Sequence, residues 1–250
     1  MKRVLFPLLA LLVIILIWHF WVASGSVPKF ILPSPASVVN AFFENFVPLM
    51  SAAGTTLKVT LVALVAAVLS GVLLALAFSL SRTVEITIYP FAVILQVTPI
   101  VSIAPLVLIW VGIDHVERAL VIIAWLAAFF PILANMSAGL RSVDPNLNDL
   151  FTLYGATRWQ RFWRLLWPTA LPYLLASLKI SGGFALIGAV VAEFVAGSGE
   201  ATGLAWRILE AGNRLQTDKM FAGLILLSLM GVTIFYSFTT LEKWVLRYRK

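Results

Sequence analysis

Apolar residues run almost unbroken through six stretches of the chain, at 4–22, 57–80, 86–111, 119–140, 171–196 and 220–241. Short polar segments separate them. An α-helix rises 1.5 Å per residue, so about 20 residues cross a hydrocarbon core of roughly 30 Å. Each stretch has that length, and none alternates at the period of two that a half-buried strand requires. The pattern predicts an all-α membrane protein with six transmembrane helices in a single domain over 1–250. In lipid each span must satisfy its own backbone hydrogen bonds, which a helix does.

The segments between the runs carry their own signals. Met1, Lys2 and Arg3 precede the first run, and Trp18, Phe20 and Trp21 lie toward its far end. Such aromatics suit a membrane–water interface, and a retained first helix fits the run better than a cleaved signal. Residues 25–55 contain Pro28, Pro33, Pro35 and Pro48. They read as an external segment with one short amphipathic helix at 36–46, started by Pro33-Ser34-Pro35. The third run holds Pro90, Pro99 and Pro105, and the fourth holds Pro131. Residues 197–219 form a second external polar loop, beginning with a turn at 197–199.

Charge sets the orientation. The chain is 61% hydrophobic and 12% charged, with a net charge of +7, against about 25% charged residues in a soluble domain. One side of the predicted topology collects Lys2, Arg3, Arg82, Arg141, Arg158, Arg161, Arg164, Lys243, Arg247, Arg249 and Lys250. The other holds Lys29, Lys58, Arg118, Arg207, Arg214 and Lys219. Basic residues favour the cytoplasmic face, so both termini are expected in the cytoplasm. Their position at the ends of apolar runs points to a lipid surface rather than to nucleic acid.

Several chemistries are excluded. There is no cysteine, and the two histidines, His19 and His115, do not suffice for a metal site within one chain. No G-x-x-x-x-G-K, no H-E-x-x-H and no pair of aspartates within a span is present, so neither a phosphate loop nor an intramembrane catalytic site is expected. No catalytic residue and no cofactor of the chain's own is predicted.

The segment 144–169, between the fourth and fifth spans, departs from this pattern. Asp144-Pro145 is a helix start, an acceptor followed by proline in the first turn. Leu147, Leu150, Phe151 and Tyr154 then fall on one face. Gly155 permits the left-handed turn that ends this helix. Thr157 caps a second helix, in which Arg158, Arg161 and Arg164 recur at intervals of three. Pro168 and Pro172 lead into the fifth span.

With Asp149 as its acidic position, Gly155 as its glycine, and Trp167-Pro168 and Leu171-Pro172 after it, this segment resembles the EAA loop of ABC importer permeases. Leu150 and Phe151 stand where the family pattern has two alanines. Gly182-Gly183-Phe184-Ala185 and Val191-Ala192-Glu193-Phe194 are similar to the nitrate, taurine and sulfonate branch, and the likeness covers about 57–243. The resemblance implies a type I importer fold and a permease that moves a small polar solute across the inner membrane. It implies cytoplasmic coupling helices that dock a separate ATP-binding subunit through Asp149, Leu150, Phe151, Tyr154, Gly155, Ala156, Arg158 and Arg161. It further implies two copies of that subunit holding ATP and Mg, a second permease subunit as a homodimer, and a periplasmic or lipid-anchored substrate-binding protein. Nitrate, taurine and sulfonates are one substrate class; pyrimidine-type vitamin precursors and riboflavin are the alternative. With two alanines replaced, docking at the first helix is expected to be chiefly hydrophobic. An ATP-independent channel or a structural membrane protein is the competing function, and it requires no ATPase.

Within the spans, Gln96 and Ser102 on the proline-rich third run, Trp125 and Asn135 on the fourth, and Glu193 on the fifth are candidates to line a translocation pathway. Helix-to-helix hydrogen bonding is the competing reading for the first four, and an interfacial carboxylate for Glu193. Lys58 and Lys179 read as interfacial. Gly182-Gly183 and Gly188-Ala189 suit close helix contact, including a dimer seam.

Overall fold

The computed structural model describes residues 2–28, 30–196 and 202–247, which form helices and turns without a strand among them. The turn expected at 197–199 and the terminal basic residues Arg249 and Lys250 lie outside the described residues. Five helices are long and apolar enough to cross a membrane, and a bent pair makes a sixth when its arms are counted as one. Two compact units can be distinguished, residues 1–55 with 202–229 and residues 56–201 with 230–250.

In the first unit, α1 (Lys2–Ala23) is the expected first span. From Leu5 to Trp21 it exposes large apolar side chains, as a lipid-facing helix does. Trp18 is the exception: its indole Nε1 donates to the Pro33 carbonyl at 2.9 Å, and its ring lies 6.0 Å from that of Phe221. The short helix α2 (Pro35–Glu44) starts as predicted, with the Ser34 hydroxyl accepting from the Ser37 amide at 3.1 Å. After Asn45 the long helix α3 (Phe46–Leu80) begins, well before the expected residue 57. Pro48 is the reason for the difference. It reads as a breaker, yet it falls in the first turn, where the missing N–H would have had no partner. The polar loop expected at 197–219 contains a further helix, α10 (Leu204–Asn213). Leu204, Ala205, Ile208 and Ala211 form its buried side and pack with Val38, Leu49 and Ala222. The last helix, α11 (Thr217–Val245), includes the expected sixth span.

The second unit is organised by α6 (Val116–Arg141) and α9 (Trp167–Ala196), which make the most extensive helix pairing. Small residues let the two backbones meet. A Cβ on Gly188 would lie 2.8 Å from Ala124 Cα, and one on Gly139 would lie 3.0 Å from Ala170 Cα. Ala124, Ala128, Ala185, Ala189 and Ala192 are fully buried. Apolar side chains gain little by leaving lipid for another helix, so close packing of this kind is what holds spans together. Gly71 repeats the device, bringing α3 onto Ile132 of α6, and Gly182 brings α9 onto Ile234 and Phe238 of α11.

The third run, expected as one span over 86–111, is broken. Helix α4 (Arg82–Val97) and helix α5 (Ile100–Val111) meet at 105°. Pro99 lacks an amide donor and drives the preceding Thr98 to an extended conformation, φ −72° and ψ 128°. Pro90 and Pro105 sit inside the arms without ending them.

Candidate functional site

Helix α7 (Pro145–Leu153) and helix α8 (Arg158–Arg161) are the two helices expected in the 144–169 segment. Asp144 caps α7, its carboxylate accepting from the Asn146 amide at 2.8 Å. At the other end Gly155 has φ +62°, the Gly155 amide donates to Thr152 O at 3.0 Å, and the Ala156 amide donates to Phe151 O at 3.0 Å. These paired bonds close the helix with a left-handed residue at the turn. Next comes a reciprocal cap: the Gln160 amide donates to the Thr157 hydroxyl at 3.2 Å, and the Thr157 amide donates to Gln160 Oε1 at 2.9 Å. The turn is therefore tied by four hydrogen bonds between residues 151 and 160.

The second helix of the segment does not end before the fifth span. From α8 the chain continues through a π-helical turn, Phe162–Leu166, straight into α9, so that Arg158–Ala196 is one helical rod. Pro168 and Pro172 lie inside it rather than marking a break. A proline ring presses on the carbonyl four residues back, which for Pro168 belongs to Arg164 in the wider π turn. Trp159, Phe162, Trp163 and Trp167 stack edge to face and tilted along this stretch, with centroids 5.1–6.2 Å apart.

Leu150, Phe151, Tyr154, Ala156, Gln160 and Arg164 enclose a groove of about 270 Å³ between the two helices. In its lining Tyr154 is 82% exposed and Leu150 44%, and the sequence neighbours Leu153 and Trp159 are exposed as well. Exposed apolar side chains gathered at a groove with polar residues beside them mark an interaction site. Asp149 is exposed beside the groove. Of the predicted docking residues, Leu150, Phe151, Tyr154 and Ala156 come together, and Gly155 shapes the turn that joins them.

Arg158 and Arg161 go elsewhere. They line a second cavity of about 500 Å³ with Arg141 and Asn148, while Arg164 reaches the groove. Although they recur at intervals of three, the three arginines do not share one side, because a step of three falls about 60° short of a full turn at 3.6 residues per turn. Two steps carry Arg164 about 120° away from Arg158. The same stride was legible in the sequence and would have found Arg164.

The pathway candidates do not converge on one site. Gln96 and Ser102 are exposed, one on each arm of the bent pair. The Trp125 indole donates to the Ser70 hydroxyl at 2.9 Å, tying α6 to α3. Asn135 is half-buried, and its amide donates to Pro131 O at 2.8 Å within its own helix. Glu193 is fully buried, and its carboxylate accepts from the Thr56 hydroxyl at 2.6 Å. Within this chain Glu193 is thus closed off and bonds α9 to α3. Both lysines read as interfacial are in ion pairs, Lys58 with Glu117 at 3.0 Å and Lys179 with Glu242 at 2.7 Å.

A thermodynamic cycle between Thr56→Val and Glu193→Gln in detergent is expected to show a coupling of about 1 kcal/mol, the range of interhelical hydrogen bonds in membranes. Independent effects of the two substitutions on the unfolding midpoint are the opposite result.

A family model described as a binding-protein-dependent transport system inner membrane component matches residues 67–247. The chain is 32% identical to the formylaminopyrimidine transport permease protein of Halalkalibacterium halodurans, over 98% of this chain and 96% of that one. It is 27% identical to the taurine transport system permease protein of Escherichia coli, over 97% of this chain and 89% of that one. Its fold resembles the crystal structure of an amino acid ABC transporter with histidines at a TM-score of 0.65 and 20% identity, over 82% of this chain and 96% of that chain.

Proposed function

Since the chain belongs to the family of binding-protein-dependent transport system inner membrane components, we propose that its 144–169 segment is the coupling element through which an ATPase drives transport. The chain is a membrane-embedded transport subunit of an ABC importer and not an enzyme, and its family works with an ATPase and a substrate-binding protein. This disposes of the ATP-independent channel and of a purely structural role. In our reading ATP and Mg are held by two copies of the ATPase, two permease chains form a homodimer, and both termini and the coupling segment are cytoplasmic, as the basic residues favour.

The observation that carries this reading is the continuity of the groove with a span. A partner side chain seated among Leu150, Phe151 and Tyr154 bears on a turn closed at both ends. Any displacement of that turn is delivered to α9, because α8, the π turn and α9 form one rod of 39 residues. From α9 the movement passes to α6 across their close seam. Closure of the ATPase pair then turns the spans from inward-open to outward-open, and hydrolysis returns them.

The cargo is a small polar solute selected mainly by the external binding protein. The relatives named above are permeases for formylaminopyrimidine and for taurine, and others are named for aliphatic sulfonates, riboflavin and nitrate, so both substrate classes stay open. Exposed Gln96 and Ser102, flanking the break at Pro99, are our candidates for contact with the solute.

Co-purification tests the docking role. A Leu150→Ala/Tyr154→Ala chain is expected to lose at least about tenfold in ATPase capture, since central apolar anchors commonly carry about 2 kcal/mol or more. Capture at the parental level by this double variant removes the groove from the interface.

A further inference from the structure

The second cavity, about 500 Å³, lies between α7–α8 and the ends of α3 and α6. Its lining is divided in chemistry. Leu80, Leu140 and Leu166 supply apolar walls, and Arg141, Arg158 and Arg161 supply charge. Arg141 already pairs with Glu85, which also pairs with Arg82 at 2.8 Å. Arg158 and Arg161 have no carboxylate partner among the described residues. The cavity therefore has two uncompensated guanidinium groups. Asn148 lines it as well, and its buried side-chain oxygen has no hydrogen-bond partner. An amide turned end for end offers an N–H at that position.

We propose that this cavity binds the phosphate headgroup of an anionic phospholipid of the cytoplasmic leaflet, with Arg158 and Arg161 as the principal ligands and Asn148 as a third. Guanidinium forks match phosphate oxygens in geometry and charge. Leu80 closes α3 and Arg141 closes α6, so the cavity opens where spans end, at the level of headgroups. Its apolar walls suit the glycerol and the first acyl carbons, which a free phosphate lacks. Basic pockets between spans on the cytoplasmic side bind such headgroups. A lipid held there joins the coupling segment to the ends of α3 and α6. The placement in the cytoplasmic leaflet rests on the orientation proposed above.

The test uses the assembled transporter, permease with its ATPase, purified in detergent with added phosphatidylglycerol and analysed by native mass spectrometry. The parent is expected to retain phosphatidylglycerol in preference to phosphatidylcholine. Arg158→Gln/Arg161→Gln is expected to bind it about thirtyfold more weakly, at about fivefold per arginine near an anionic surface. Arg118→Gln, a charge loss at the start of α6, should retain it fully. Equal retention by the double variant overturns the proposal. So does displacement by inorganic phosphate at equal concentration, which assigns the arginines to a free anion. Loss of the ATPase from the double variant with lipid retention unchanged also overturns it, and assigns them to the protein interface. Lipid retention by a chain that captures no ATPase leaves the lipid site standing and refutes the docking role instead.

Discussion

A Gly188→Leu chain fails to assemble its central helix pair and elutes as aggregate from a detergent sizing column. The Cβ alone would lie 2.8 Å from Ala124 Cα, 2.9 Å from Ala127 Cβ and 3.3 Å from Ile123 O. Two of these neighbours are backbone atoms of a helix, which do not move aside individually. Helix α6 must retreat from α9, and that opens the contacts of the fully buried Ala124, Ala128, Ala185, Ala189 and Ala192. Overpacking a core costs about 1–3 kcal/mol where side chains can adjust. Here they cannot, and in lipid the lost packing has no hydrophobic force behind it to restore it. Gly183→Leu is the matched control, because nothing lies within 4 Å of a Cβ there. It should stay monodisperse with a melting temperature near the parent's. A Gly188→Leu chain that melts like the parent removes the seam from the account of the fold.

The second large effect is on coupling rather than on folding. A Cβ on Gly155 has open space around it, and its φ of +62° is the whole restriction. A β-branched residue in that conformation costs about 1–2 kcal/mol or more, enough to release the turn between α7 and α8. Gly155→Val is therefore expected to reach the membrane at the parental level and to lose transport by about tenfold or more, with ATP hydrolysis no longer responding to the loaded binding protein. Gly155→Asn, whose side chain tolerates the left-handed region, should retain most of both. Normal coupled hydrolysis in Gly155→Val, measured in proteoliposomes, contradicts the lever.

These two glycines also mark the limits of legibility. Gly155 was readable because everything it needs is local: Asp144-Pro145 before the helix, the Thr157–Gln160 cap after it, and a left-handed turn between. The apolar runs were readable for the same kind of reason, since span length is a property of the segment and the bilayer alone. What stayed hidden depends on partners far away in the chain. Nothing near Lys179 in sequence announces its partner Glu242, and nothing near Glu193 announces Thr56 on α3. The prolines show a third case. Pro48, Pro90 and Pro105 sit within helices while Pro99 bends one by 105°, and residue type does not distinguish them. Helix α10 lies in a stretch that reads as polar, although its Leu204, Ala205, Ile208 and Ala211 have helical spacing.

The unbroken helix from Arg158 to Ala196 also constrains how this region can evolve. Each residue added to or deleted from a helix rotates everything on one side of the change by about 100° and shifts it by about 1.5 Å. A single-residue insertion between Arg158 and Trp167 would swing the groove away from its partner while leaving the span in place. Descendants of this chain are free to exchange side chains in the stretch but are held to its length, whereas segments such as 30–34, outside any helix, can lengthen or shorten at small cost.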